Sequence, residues 1–165
     1  MAIHHEEHRI SANNILFGLT HFLTLALPAG WRITRSYLEP DVHANVRDGD
    51  LLWVQAGQTD QIVYHPSRKV GLDMTVMVKR GQRNELKTKG IAIHSRGSLM
   101  INGHEATYIL GEVRVGFLKK KLAKTLCLSF HCSDLGRTIM IRFTGACQEA
   151  DLQEIFRSLS GLKCH

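Results

Sequence analysis

The chain has 165 residues, a formal net charge of +6 with its ten histidines neutral, 44% hydrophobic residues and 22% charged residues. That balance is ordinary for one globular domain able to bury most of its apolar surface, and it excludes a low-complexity or repeat architecture. The positive charge permits contact with nucleic acid, an anionic membrane or an acidic protein and selects none of them.

Residues 1–13 form a polar, His-rich lead, and residues 14–165 read as a single α+β domain. The lead contains His4-His5-Glu6-Glu7-His8. On a helix His4 and His8 would share a face, but the order breaks the His-Glu-x-x-His spacing of zinc peptidases, so a mobile polar terminus is expected. Residues 15–28 are largely apolar yet too short to span a bilayer. Glu6 and Glu7 precede them where a secretory leader prefers positive charge, so a buried strand or helix is the expectation. Residues 20–27 alternate, with Phe22, Leu25 and Leu27 competing for the core, and Pro28-Ala29-Gly30 stops the element.

Residues 31–38 and 51–55 read as strands separated by the turn signal Asp48-Gly49-Asp50, with Trp31 and Trp53 as core or rim aromatics. Residues 57–69 are polar, contain Pro66 and read as a loop. Residues 72–79 alternate through Met74, Val76 and Val78 as a strand, and the basic segment 80–89 reads as an exposed helix or long loop. Asn102-Gly103 predicts a type I′ hairpin turn, because both residues accept positive φ and that turn matches strand twist. A strand over 105–115 follows, then a basic connection over 117–124.

The close of the chain carries the clearest pattern. Leu126, Leu128, Phe130 and Cys132 alternate as one buried strand face, Asp134-Leu135-Gly136 turns, and residues 138–143 return. Leu152, Ile155, Phe156 and Leu159 then repeat at helical spacing. Glu149 and Asp151 near its start, with Arg157 and Lys163 near its end, complement the helix dipole. About seven strands and one helix are expected, in an antiparallel sheet with a helix on at least one face.

Three short segments resemble the PsbP-like and Mog-type domains. They are Phe22-Leu-Thr-Leu-Ala-Leu-Pro-Ala-Gly-Trp31, Ile101-Asn-Gly-His-Glu-Ala-Thr-Tyr108 and Asp151-Leu-Gln-Glu-Ile-Phe-Arg-Ser-Leu159. In order of elements the resemblance covers most of residues 20–162. It implies a three-layer α/β/α sandwich, an antiparallel sheet flanked by helices and closed by an amphipathic C-terminal helix. It also implies a binding or assembly role, since those domains include extrinsic photosystem subunits, a Ran-binding factor and small bacterial proteins of unsettled role. No family site residue matches a position here, and the lack of a clear signal peptide departs from the exported members.

The chemistry-bearing residues are few. Cys127, Cys132, Cys147 and Cys164 crowd into the last 39 residues. A disulfide framework usually spreads its cysteines, so reduced thiols in a cytoplasmic protein are expected, with pairing of Cys132 or Cys127 to Cys164 as the alternative that would tie the tail to the sheet. His131, Cys132, Cys164 and His165 could supply zinc or copper ligands. Strand neighbours point to opposite faces, which favours Cys132 with Cys164, or His131 with His165, over all four. Lys119, Lys120, Lys121, Lys124 and Arg114 form one basic cluster suited to a polyanion, and Lys79, Arg80, Arg83, Lys87 and Lys89 form another.

The chain shows no P-loop, no Gly-x-Gly-x-x-Gly and no Gly-x-Ser-x-Gly. Cys127 or Cys132 with His131 or His104 could pair as nucleophile and base, but alternation buries Cys132 where a thiolate is disfavoured. The expectation is a non-catalytic binding or assembly module with a protein partner, compatible with a homo-oligomer. Metal binding and nucleic-acid binding are the alternatives.

Overall fold

The computed structural model describes residues 6–14, 18–34, 58–83, 86 and 88–164. Nine strands occur among them: β1 (Glu6–Asn14), β2 (Gly18–Leu27), β3 (Arg32–Thr34), β4 (Gln58–His65), β5 (Val70–Arg80), β6 (Ile91–Ile101), β7 (His104–Val115), β8 (Lys121–Cys132) and β9 (Arg137–Gly145). Helix α1 (Glu149–Ser158) and a 3₁₀ turn (Leu159–Gly161) close the chain. Strands β3 to β9 form one antiparallel sheet in the order β3-β4-β5-β9-β8-β7-β6, and β1 pairs with β2 as a separate ribbon.

Alternation builds the core. Leu126, Leu128, Phe130 and Cys132 of β8, Ile139, Ile141 and Phe143 of β9, and Leu72, Met74 and Val76 of β5 are all buried in one cluster. Leu23, Leu25 and Leu27 of β2 join them, as do Leu152 and Ile155 of α1 and Leu159 just beyond it. Burying each such side chain contributes roughly 1.5–3 kcal/mol before chain entropy is subtracted. The centre of the opposite face is buried too, through Ile109, Cys127, Ser129 and Met140.

The turns follow their residues. Asn102 and Gly103 both take positive φ (50° and 82°), so the β6–β7 hairpin closes on Ile101 opposite His104 as the Asn-Gly pair predicts. Gly136 takes φ 61° in the β8–β9 turn, where its N–H donates to the Ser133 carbonyl at 3.3 Å. Thr138 then anchors the chain after β5. Its hydroxyl donates to the Gly81 carbonyl at 2.7 Å and accepts from the Arg83 N–H at 2.9 Å.

Helix α1 is fixed at its start by two acids. Asp151 accepts the Gln148 N–H at 3.0 Å and a bond from Arg68 of the β4–β5 turn at 3.0 Å. Glu154 accepts from the same Arg68 Nη1 at 2.6 Å and from Trp31 Nε1 at 3.3 Å. Trp31 is fully buried and stands edge-on to His65, with ring centres 5.3 Å apart. Trp31 is therefore a core aromatic whose one polar atom reaches a carboxylate.

Several expectations are corrected. Residues 58–65 are a strand rather than a loop. Their polar sequence hides it, but β4 is paired on both sides, to β3 and β5, which satisfies its backbone whatever its side chains. Residues 91–98 form most of edge strand β6, which is exposed nearly throughout and so lacks an apolar alternation. The connection expected over 117–124 shrinks to residues 116–120, because β8 begins at Lys121. Residues 6–13 of the polar lead run in strand β1, paired with β2. In β2 the core face is carried by Leu23, Leu25 and Leu27, and the side chain of Phe22 lies outside the described residues. Lys163 lies past the helix, in a two-bond bridge with Thr24. One α-helix is present among the described residues, so the second helical layer of a three-layer sandwich is not seen there. The strand expected over 51–55, Trp53 and residues 35–38 lie outside the described residues.

Candidate functional site

Strand β8 carries the two candidate sites, one at each end. At its C-terminal end the 3₁₀ turn returns the chain to the core face, where the Thr24–Lys163 bridge holds it against β2. That path brings Cys164 onto Cys132, and the two form a disulfide with Cα atoms 6.5 Å apart and a separation of 32 positions in sequence. Both cysteines are buried. The pairing corrects the expectation of reduced thiols for these two residues and realises the Cys132 option of the alternative.

The same end holds a histidine that the sequence reading offered as a base for Cys132 but not as a metal ligand. One ligand atom each from His104, Cys132 and Cys164 lies within 4.8 Å of the others. The β7–β8 register explains this, since Ala106 pairs with Phe130 and the next position on the same face sets His104 across from Cys132. His104 Nε2 also lies 3.4 Å from Asp134 Oδ2. Asn102 Nδ2 donates to Cys164 Sγ at 3.6 Å. His131 points away from this group: its Nδ1 lies 3.4 Å from Thr138 Oγ1, on the face opposite Cys132. His165 lies outside the described residues. Of the four predicted metal ligands, the structure therefore brings together Cys132 and Cys164 and separates His131 from them.

The other end of β8 is a bare hairpin tip. Strands β7 and β8 pair from Ala106–Phe130 out to Val115–Lys121, and residues 116–120 turn between them. Gly116 takes φ 109° there, and a Cβ at that position would meet the Lys119 carbonyl oxygen at 2.7 Å. At the apex Phe117 is 95% exposed and Leu118 91% exposed, with Lys119, Lys120 and Lys121 immediately after them. Val115 and Leu122 on the flanking strands are also exposed.

The predicted basic cluster divides across this tip. Arg114, Lys119, Lys120 and Lys121 are exposed. Lys124 is not part of a free cationic surface: its Nζ lies 3.1 Å from Glu149 and 3.7 Å from Glu112. The hydrogen bond to Glu149 raises the Lys124 pKa and lowers that of Glu149. In the second cluster Lys87 lies outside the described residues, and the Arg83 backbone is tied to Thr138.

Burial pushes the Cys127 thiol up, and its sulfur lies 3.9 Å from the Thr125 hydroxyl. Cys147 is pushed up to about 11, again chiefly by burial. Both are neutral thiols near pH 7, and Cys132 is held in the disulfide. A cavity of about 290 Å³ opens on the second sheet face beside Cys127, lined by Thr75, Met77, Leu86, Met140 and Arg142.

With this geometry in hand, comparison with known proteins gives one kind of result. No protein-family model matches the chain, and no curated relative does. Among solved structures it is similar to the solution structure of cyanobacterial PsbP (CyanoP) from Synechocystis sp. PCC 6803. The TM-score is 0.52 at 10% sequence identity, over 100% of this chain and 94% of that one. The fold resembles that of PsbP. At that identity the likeness concerns architecture and carries no site residue across. It agrees with the antiparallel sheet and closing helix expected from the sequence. No helix among the described residues is long and apolar enough to cross a membrane.

Proposed function

We propose that this chain is a non-catalytic binding or assembly module that engages its partner through the β7–β8 hairpin tip. One observation carries the reading: Phe117 and Leu118 stand consecutively in solvent at an apex followed by three lysines. Among the described residues neither side chain is covered, so folding gives no return for exposing them. Contiguous exposed apolar groups rimmed by charge mark contact surfaces. The three-layer sandwich belongs to this reading as well, supported by burial at the centre of both sheet faces.

The test is co-purification of the full chain, with retained proteins and lipids both read by mass spectrometry, against a Phe117→Asp/Leu118→Asp variant. The reading expects a species held by the wild type and lost from the variant. Identical retained sets would remove the tip from the account.

A second reading rests on the group formed by His104, Cys132 and Cys164. Two thiolates and an imidazole suit zinc or copper(I) once the disulfide is reduced, because a disulfide sulfur is no longer a thiolate ligand. Reduced protein should then bind close to one zinc per chain and the oxidised protein none; equal binding by both would exclude this group. The disulfide also favours an oxidising compartment over the cytoplasmic one expected from cysteine clustering. Thiol counting on protein trapped with an alkylating agent in its source cells tests that: two reactive thiols support it and four oppose it.

A further inference from the structure

We infer that the β7–β8 tip is a lipid-docking element that places Phe117 and Leu118 in an anionic bilayer surface while Lys119, Lys120 and Lys121 engage the headgroups. The inference rests on the docking reading above and names the class of partner.

Three observations converge on it. The first is the order of chemistry along the tip. The apolar pair occupies the apex and the lysines follow directly behind it, so hydrocarbon-seeking groups lead and cationic groups trail. A bilayer surface has the same layering, with acyl chains beneath anionic headgroups. Lysine stems can lie along the apolar layer while their ammonium groups stay at the headgroups.

The second observation is charge complementarity. No Asp or Glu occurs between Glu112 and Asp134, so the whole tip is free of acidic residues. Glu112, the acid nearest in sequence, already lies 3.7 Å from Lys124 and 3.6 Å from His94. An anionic surface approaching the tip meets Arg114 and three lysines with no carboxylate in the same stretch of chain, while Glu112 and the exposed Glu149 both lie on Lys124.

The third is support. The apex is a five-residue turn, residues 116–120, carried on ten paired positions of β7 and β8. A tip held this way loses little freedom on insertion, which lowers the cost of binding. A nucleic-acid duplex would satisfy the lysines but offers no apolar phase for two adjacent side chains. An acidic protein would have to supply a matching apolar pocket, whereas a bilayer supplies its apolar layer everywhere.

The experiment is co-sedimentation of the full chain with vesicles of phosphatidylcholine alone or containing about 30 mol% phosphatidylserine. Wild type should pellet with the anionic vesicles, weakly or not at all with the neutral ones, and less as salt rises. Each lysine near an anionic surface is worth roughly a fivefold factor in partitioning, so Lys119→Glu/Lys120→Glu/Lys121→Glu should lose on the order of 100-fold or more. Phe117→Asp/Leu118→Asp should lose on the order of 100-fold or more by removing two inserted apolar groups. Circular dichroism should show both variants folded, since every altered residue is exposed. Phe117→Trp should shift its emission to the blue on anionic vesicles.

Absence of pelleting, equal pelleting with neutral vesicles, or equal pelleting of wild type and both variants would overturn the lipid assignment. So would preference for a polynucleotide over the vesicles. The outcomes also separate this inference from the reading beneath it. A photo-crosslinker at position 118 that captures a protein, with no vesicle binding, would overturn the lipid partner and leave the docking tip standing. Tip-independent behaviour in both experiments would remove both.

Discussion

Strand β8 runs between two ends that are built differently. At Cys132 it is closed by a disulfide, by the 3₁₀ turn and by the bridge from Lys163 to Thr24, and the side chains there are buried. At Lys121 it meets a tip whose apolar side chains touch solvent. The two ends share strands, register and sheet, so secondary structure does not account for the difference. It lies in what covers each end: the returning tail packs over one and nothing among the described residues packs over the other. The contrast separates residues that hold the fold from residues available to a partner, and it can be broken or sharpened by treating each end alone.

The largest effect should come from the closed end. The disulfide links residues 32 apart, and closing a loop of that size removes denatured-state entropy worth about 3–4 kcal/mol. Cys132→Ala/Cys164→Ala, or reduction of the wild type, should lower stability by about that amount in urea unfolding. A loss below about 1 kcal/mol would show that the returning tail is held by packing alone and would weaken the contrast.

A smaller effect is expected from the clamp at the start of α1. Asp151→Ala removes the acceptor for the Gln148 N–H and one of the two carboxylates on Arg68. The cost should be about 1–2 kcal/mol, because Glu154 still holds Arg68 while the Gln148 N–H loses its acceptor. The measurement is urea unfolding of the variant beside the wild type, and an unchanged midpoint would show that water caps the helix equally well.

The smallest effect is electrostatic. Lys124 depresses the Glu149 pKa in the folded state, so the pair contributes stability above the unfolded carboxylate pKa and loses it as pH falls through the folded value. Glu149 is largely exposed, and solvent screening holds the contribution to about 0.5 kcal/mol or less. Glu149→Gln should therefore be slightly less stable than wild type at pH 7, with the gap closing in acid. A gap that widened as pH fell would contradict the sign.

Much of the closed end was legible in the sequence because burial writes a period. The alternation through Leu126, Leu128, Phe130 and Cys132 and the helical stripe through Leu152, Ile155 and Leu159 each mark a face turned to the core. Asn102-Gly103 was legible for a local reason, the positive φ that both residues accept. Strands β4 and β6 were hidden because their pairing is a backbone property. Polar residues open β4, and β6 is an exposed edge. The alternative pairing already ended on Cys164; whether Cys132 or Cys127 met it was left open, and the path of the tail brings Cys164 onto Cys132. His104 was offered as a base for Cys132 but missed as a metal ligand, because its place follows from the β7–β8 register rather than from sequence proximity. A hairpin centred on residues 116–120 would have set it opposite Cys132. Phe117 and Leu118 were passed over because two apolar residues beside a lysine run read as part of a connection. Their exposure follows from a turn over which nothing among the described residues packs.

The most direct test of the central claim pairs two measurements on one protein, the Phe117→Asp/Leu118→Asp variant. Substitutions at exposed positions with no packing partner should change folding stability by no more than about 0.5 kcal/mol. The account predicts thermal unfolding indistinguishable from wild type together with loss of binding to anionic vesicles. A variant that unfolds well below the wild type, or that keeps its binding, would contradict the assignment of this end of β8 to docking rather than to the fold.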